Sequence, residues 1–188
     1  MKTLNPSFIP MAVIMACAYS ASAFSAEEPG AKVQMTLTSS AFSHQGSIPK
    51  QFTCDGSDVS PELAWSNTPA DAKSLALIVD DPDAPTPITP VMTWVHWVLY
   101  NIPTSASKLF PNIGPENLPQ GTLQGKNDWK KTGYKGPCPT FGTHRYFFKL
   151  YALDTALPDL DEPDKAALMK AMDGHILDHA ELVGTYKH

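Results

Sequence analysis

The chain has 188 residues, a formal net charge of −5, a pI near 5.6 and a single arginine, Arg145. A nucleic-acid phosphate backbone needs a basic face with several Lys and Arg contacts, so composition argues against nucleic-acid binding. With 43% hydrophobic residues, 18 prolines and 11 glycines, it reads as one packed domain of short strands and ordered loops, and not as a helix bundle.

The N-terminus reads as an export leader. Lys2 supplies a positive start, residues 8–18 are mostly apolar but too short to span a bilayer, and Ala21-Ser22-Ala23 offers small residues for a signal peptidase. The expected organisation is a signal peptide over 1–23, a flexible segment over 24–32 and one domain over 33–188. The mature protein is then periplasmic or secreted. A lipoprotein anchored through Cys17 is the alternative, because Ile14-Met15-Ala16-Cys17 loosely follows a lipidation box. Removing the leader leaves Cys54 and Cys138, an even pair in an oxidising compartment. A bridge between them, two buried thiols, or a reactive Cys138 thiolate near His144 all stay open.

Along the domain, Val33, Met35 and Leu37 alternate with polar residues as in a half-buried strand. Short strands are predicted over 48–53 and 62–65. Residues 75–79 are almost continuously apolar and suit a strand buried on both faces. Residues 94–100, rich in aromatic and β-branched types, predict a strand with Trp94, His96, Val98 and Tyr100 on one face and Val95, Trp97 and Leu99 on the other. Residues 110–134 show no period and predict a long functional loop. A strand follows over 145–153. Pro163, with Asp161 as cap, opens a helix over 166–172. Gly174 interrupts it, the helix resumes over 176–180, and a last strand covers 182–186.

Four segments carry the polar chemistry. In Asp80-Asp81-Pro82-Asp83-Ala84-Pro85, a stiff extended turn directs Asp81 and Asp83 the same way. In Trp94-Val95-His96-Trp97, a histidine is framed by indoles. In Gly136-Pro137-Cys138-Pro139, Gly136 permits close approach to the main chain. In His144-Arg145-Tyr146, His144 and Tyr146 share a face and Arg145 points away, towards an ion pair with a surface carboxylate.

These segments, in this order, resemble the phosphatidylethanolamine-binding protein family, most closely its bacterial Raf kinase inhibitor-like branch. Cys54-Asp55-Gly56 with Ser60-Pro61, and Gly174-His175-Ile176-Leu177 leading to Glu181-Leu182-Val183-Gly184-Thr185-Tyr186, are similar to it as well. Thr140 stands where the family has a second proline. The resemblance implies a mainly β fold, a Greek-key β-sandwich with a few peripheral C-terminal helices. It also implies a small-anion pocket formed by Asp81, Asp83, His96, Gly136, His144 and Tyr146.

In such a pocket the histidines donate to phosphate. The two aspartates are expected to hold the rings and raise their pKa values. The expected function is non-enzymatic binding of phosphate or phospholipid head groups, with no cofactor, no catalytic residue and no metal. Two alternatives are a protease inhibitor or signalling modulator acting by protein contact, and a metal-assisted hydrolase using the two Asp and two His. A protein partner and a homodimer stay open, and no transmembrane helix is expected in the mature chain.

Overall fold

A computed structural model describes Met1 and residues 33–188; the rest of the expected leader, Cys17 and the expected 24–32 segment lie outside these residues. Two antiparallel sheets form the domain. The small sheet has the order β1 (Thr36–Thr38), β2 (Leu63–Ser66), β5 (Lys108–Leu109). The large sheet has the order β6 (Leu123–Gln124), β4 (Met92–Ile102), β3 (Ser74–Ala84), β7 (Thr143–Leu153), β8 (Ile176–Lys187). After β4 the chain visits β5 in the small sheet and β6 at the edge of the large one. It then returns as β7 on the far side of β3, which gives the Greek-key crossing.

The apolar run of β3 is buried on both faces for a specific reason. Leu75, Leu77 and Val79 enter the core shared with the small sheet, where Leu37, Leu63 and Trp65 meet them. Ala76 and Ile78 enter a second core, closed by the helix α1 (Lys165–Met172) through Leu168 and Met172. An eight-residue helix is marginal alone. Burying Leu168 and Met172 stabilises its position by about 1.5–3 kcal/mol each.

Three expectations are corrected. Asp164, not Asp161, caps α1, its Oδ1 accepting from the Ala167 N–H at 2.8 Å. Residues 176–180 extend β8 instead of resuming a helix: Leu177 and Ala180 suggest a helical face, but pairing with β7, interrupted only by a register shift at Leu177, decides the outcome. Residues 48–53 form no strand. Pro49 opens a 3-10 turn (Lys50–Phe52) that buries Phe52 alone, and pairing is limited to a bridge between Ser47 and Thr185. The 110–134 loop holds a 3-10 turn (Pro115–Asn117) and β6. Among the described residues, no helix is long and apolar enough to cross a membrane.

Candidate functional site

The central strands β3, β4 and β7 end together at one edge of the large sheet. There they enclose a cavity of about 240 Å³ lined by Asp81, His96, His144 and Tyr146, with Met92, Trp94 and Trp129 on its walls. Two irregularities aim these groups. Val79 pairs with Trp97 but Asp80 with Val95, so His96 is an extra residue in β4, a bulge. The bulge breaks the predicted alternation: Val95 joins Val98 and Tyr100 in the helix-side core, while Trp97 and Leu99 face the other. A further register shift lies between Asp81 and Ala84.

The bulge is clasped from outside the sheet. The His96 Nδ1–H donates to the Lys135 carbonyl at 2.6 Å, and the Lys135 N–H returns to the His96 carbonyl at 3.1 Å. A carbonyl only accepts, so this contact fixes the tautomer and leaves Nε2 with the lone pair of a neutral ring. Burial pushes the His96 imidazole below the ordinary histidine value, and the Lys135 carbonyl and the Asp81 and Asp80 charges only partly oppose it. The expected elevation by carboxylates therefore fails at His96, because desolvation outweighs it. His144 is held differently. Its Nδ1 meets Asp81 Oδ2 at 2.7 Å and its Nε2 meets the Phe141 carbonyl at 3.2 Å, so both nitrogens are used inside the protein. The second Asp81 oxygen accepts the Asp83 N–H at 2.8 Å.

Tyr146 sits between the two imidazoles, edge-on to His96 at 5.2 Å and stacked near His144 at 6.5 Å between ring centroids. It is 1% exposed, and its hydroxyl makes no hydrogen bond of good geometry among the described residues. Burial first, and the Asp81 charge second, hold the phenol protonated far above the tyrosine range. It is thus a neutral donor that makes no hydrogen bond of good geometry among the described residues, with the Asp81 carboxylate and the Cys138 backbone beside it.

Asp83 and Gly136 do not line this cavity. Asp83 turns to Arg145, accepting from Nε at 2.8 Å, Nη2 at 2.7 Å and the backbone N–H at 2.9 Å. The Arg145 guanidinium holds its carboxyl below the usual range. Arg145 does take an ion pair, but with a buried carboxylate and not a surface one. Gly136 admits the protein's own backbone: a Cβ there would lie 2.3 Å from the Phe52 carbonyl oxygen. Its N–H is held by Asp58 Oδ1 at 2.7 Å. Cys54 and Cys138 form a disulfide, and Cys138 borders the cavity. The two Asp and two His do not assemble as a metal set, since the His144 nitrogens and Asp83 are committed elsewhere.

Sequence reasoning missed Trp129 and its support. Asn127 is buried, accepts from the N–H groups of Trp129 and Lys131 at 3.0 and 3.2 Å, and donates to the Gly133 carbonyl at 3.1 Å. Asp128 Oδ2 accepts the Val95 N–H at 2.7 Å beside the bulge. The available signal was Asn127-Asp128, residues that fold turns around their own side chains. Trp129 then packs edge-on to Trp94 and His96, at 5.4 and 5.2 Å between centroids.

Comparison with known proteins agrees with this architecture. The family model for phosphatidylethanolamine-binding protein matches residues 38–187. The UPF0098 protein of Methanothermobacter thermautotrophicus is 48% identical over 154 residues, covering 81% of this chain and 99% of its own. The crystal structure of a phosphatidylethanolamine-binding protein homologue from Chlamydia trachomatis is similar at 43% identity and TM-score 0.76, covering 82% of this chain and 98% of that one. YbcL of E. coli, a member of the mammalian PEBP family, is similar at 31% identity and TM-score 0.75, covering 83% and 99%. The match spans nearly the whole domain and carries both sheets with it: the chain belongs to the phosphatidylethanolamine-binding protein family.

Proposed function

We propose that the chain is an exported, non-enzymatic binding protein whose cavity takes a small phosphorylated head group. Family membership supports a binding-type protein. The observation that carries the finer reading is the Tyr146 hydroxyl, a buried donor without a well-formed hydrogen bond among the described residues, on the same cavity as the neutral ring of His96, whose Nδ1 is taken by Lys135. A buried polar group left unpaired costs free energy, and a ligand acceptor recovers it. A phosphate oxygen accepts from Tyr146. Neutral His96 offers Nε2 as an acceptor, so the bound phosphate brings a proton: a monoanionic P–OH donates to Nε2, or equivalently His96 takes up that proton on binding. Both oxygens of Asp81 are already engaged, so a head-group ammonium falls to the indole faces of Trp94 and Trp129. The export reading rests on the leader residues and is compatible with the disulfide.

Calorimetric titration of the purified protein with phosphoethanolamine tests this across pH 5.5 to 8.5. A phosphomonoester loses its second proton near about pH 6, so affinity should fall as pH rises past neutrality. Affinity that stays flat or increases above pH 8 would refute the proton-sharing site. Heat that persists in His96→Ala would refute the placement.

A further inference from the structure

A second cluster lies beside the cavity and is independent of the head-group reading. The Cys54–Cys138 sulfurs and a ring nitrogen of His188 all lie within 4.8 Å of one another. Cys54 is half-buried and Cys138 exposed, so the bridge is open to reagents. Three distant segments supply these residues: the turn after the first 3-10 helix, the 136–139 stretch and the end of β8. Asp55 sits among them. Its carboxylate accepts from the Tyr186 hydroxyl and pairs with His188 Nε2 at 3.3 Å. A carboxylate behind a histidine is the arrangement that orients a metal-ligating imidazole.

The corner also has ties that do not depend on the covalent bond. The Cys54 N–H donates to the Pro137 carbonyl at 3.1 Å, the Gly136 N–H to Asp58 Oδ1 at 2.7 Å, and the Tyr134 hydroxyl to the Phe52 carbonyl at 2.9 Å. Lys135 Nζ adds an ion pair to the other Asp58 oxygen. These contacts hold the 52–58 and 134–138 segments together, so breaking the bridge leaves both sulfurs near His188.

We propose that this corner is a redox-conditional site for a borderline-soft divalent cation such as Zn²⁺. A dithiol or phosphine reductant supplies two electrons to the Cys54–Cys138 bond. The bond breaks and two thiols form: a dithiol gives up its two protons and becomes its disulfide, whereas a phosphine takes the oxygen of one water to become its oxide and that water's two protons go to the sulfurs. On metal binding each thiol releases its proton, so two thiolates and one neutral imidazole nitrogen become donors. With Zn–S about 2.3 Å and Zn–N about 2.0 Å, tetrahedral donors stand roughly 3.5–3.8 Å apart; the His188 nitrogen already lies within 4.8 Å of both sulfurs, and the sulfurs move apart once their bond is broken. Thiolate and imidazole together favour Zn²⁺ over Mg²⁺ or Ca²⁺. In the oxidised protein the sulfurs are bonded to each other and carry no thiolate charge, so the site exists only after reduction.

The test uses Co²⁺ as the probe. The full protein is reduced anaerobically with a phosphine, desalted, and titrated with Co²⁺ while near-UV absorbance is recorded. The expected result is one equivalent bound with a thiolate-to-cobalt charge-transfer band, absent from the oxidised protein. His188→Ala should weaken binding at least about tenfold with an unchanged circular dichroism spectrum. Cys54→Ser and Cys138→Ser should each remove the band. Absence of the band in the reduced protein, equal binding by the oxidised protein, unchanged affinity in His188→Ala, or loss of the native spectrum on reduction would each overturn the proposal.

Discussion

Replacing Tyr146 by phenylalanine should raise stability and lower affinity together. The hydroxyl is buried, makes no hydrogen bond of good geometry among the described residues, and stays protonated at any physiological pH. Removing a desolvated, unpaired hydroxyl relieves a cost of about 1–3 kcal/mol, less what the shortened ring edge loses in packing, so a gain near 1 kcal/mol is expected. In a domain of this size that is roughly 2–4 °C in Tm. The same change removes a charge-assisted donor to a bound phosphate, about 1.5–3 kcal/mol, or roughly 10- to 150-fold in Kd. Thermal unfolding of the ligand-free variant and calorimetry with phosphoethanolamine at pH 6 read the two effects separately. A variant destabilised by more than about 1 kcal/mol that binds as well as the parent would refute the reasoning. It would mean that the phenol serves the fold and not a ligand.

Three further outcomes follow from the buried charges. Arg145→Ala leaves the buried Asp83 carboxylate with only a main-chain donor, so urea unfolding at pH 7 should show a loss of about 1.5–3 kcal/mol. Asp83 is depressed in the fold, so that stabilisation is present above its unfolded value of 3.8 and lost as pH falls through the folded one; the variant should lose less than the parent on acidification. His96 has the opposite relation: the unfolded chain gains a proton near 6.5 that the folded ring refuses, so stability falls as pH drops below that value. Stability–pH curves should differ between parent and His96→Gln by a slope of up to about 1.4 kcal/mol per pH unit below 6.5, the variant being flatter. Asp80→Ala should cost about 3 kcal/mol in chemical unfolding, since Lys149 at 2.8 Å and Lys165 at 2.6 Å both close on a fully buried carboxylate.

The parts of the fold that follow period or composition could be read directly. The apolar 75–79 run had only one good solution, a strand covered on both faces, and β3 takes it. The aromatic, β-branched stretch around Trp97 became β4 for the same reason. The misreadings lie where long-range pairing overrides local pattern. Residues 176–180 carry a sparse apolar spacing, and only the partner strand, Ala152 opposite Asp178 and Leu150 opposite Ala180, decides in favour of strand. At the site, strict alternation placed Asp81 and Asp83 together, and a register shift separated them. Bulges depend on which residue of the neighbouring strand stands opposite, and a single sequence does not state this. Trp129 was hidden for another reason: its position is set by Asn127, whose side chain organises a loop with no periodic signal.

The acidic run at the end of β3 illustrates how the neighbouring strand changes a residue's meaning. Taken alone, Asp80, Asp81 and Asp83 suggest a cation site or a patch that repels phosphate. Each is instead matched by a residue of β7: Asp80 by Lys149, Asp81 by His144, Asp83 by Arg145. Because β3 and β7 are antiparallel neighbours, the end of β3 lies beside the start of β7. Asp81 and Asp83 therefore meet the first residues of β7, and Asp80, farther back, meets Lys149 deeper in that strand. Two carboxylates that would be costly to bury, Asp80 and Asp83, are thereby paired with cations across a single strand junction, and Asp81 is hydrogen-bonded there by His144. Asp80 and Asp83 then present no free negative charge to an incoming anion, and both oxygens of Asp81 face donors of the protein. Neither does the cavity present a surplus cation, because His96 is held neutral and the Arg145 guanidinium is spent on Asp83. An anion bound there must share a proton with the site, and for that reason pH dependence of ligand affinity discriminates this site from an ordinary cationic phosphate pocket, whose affinity holds or increases as the phosphate gains charge.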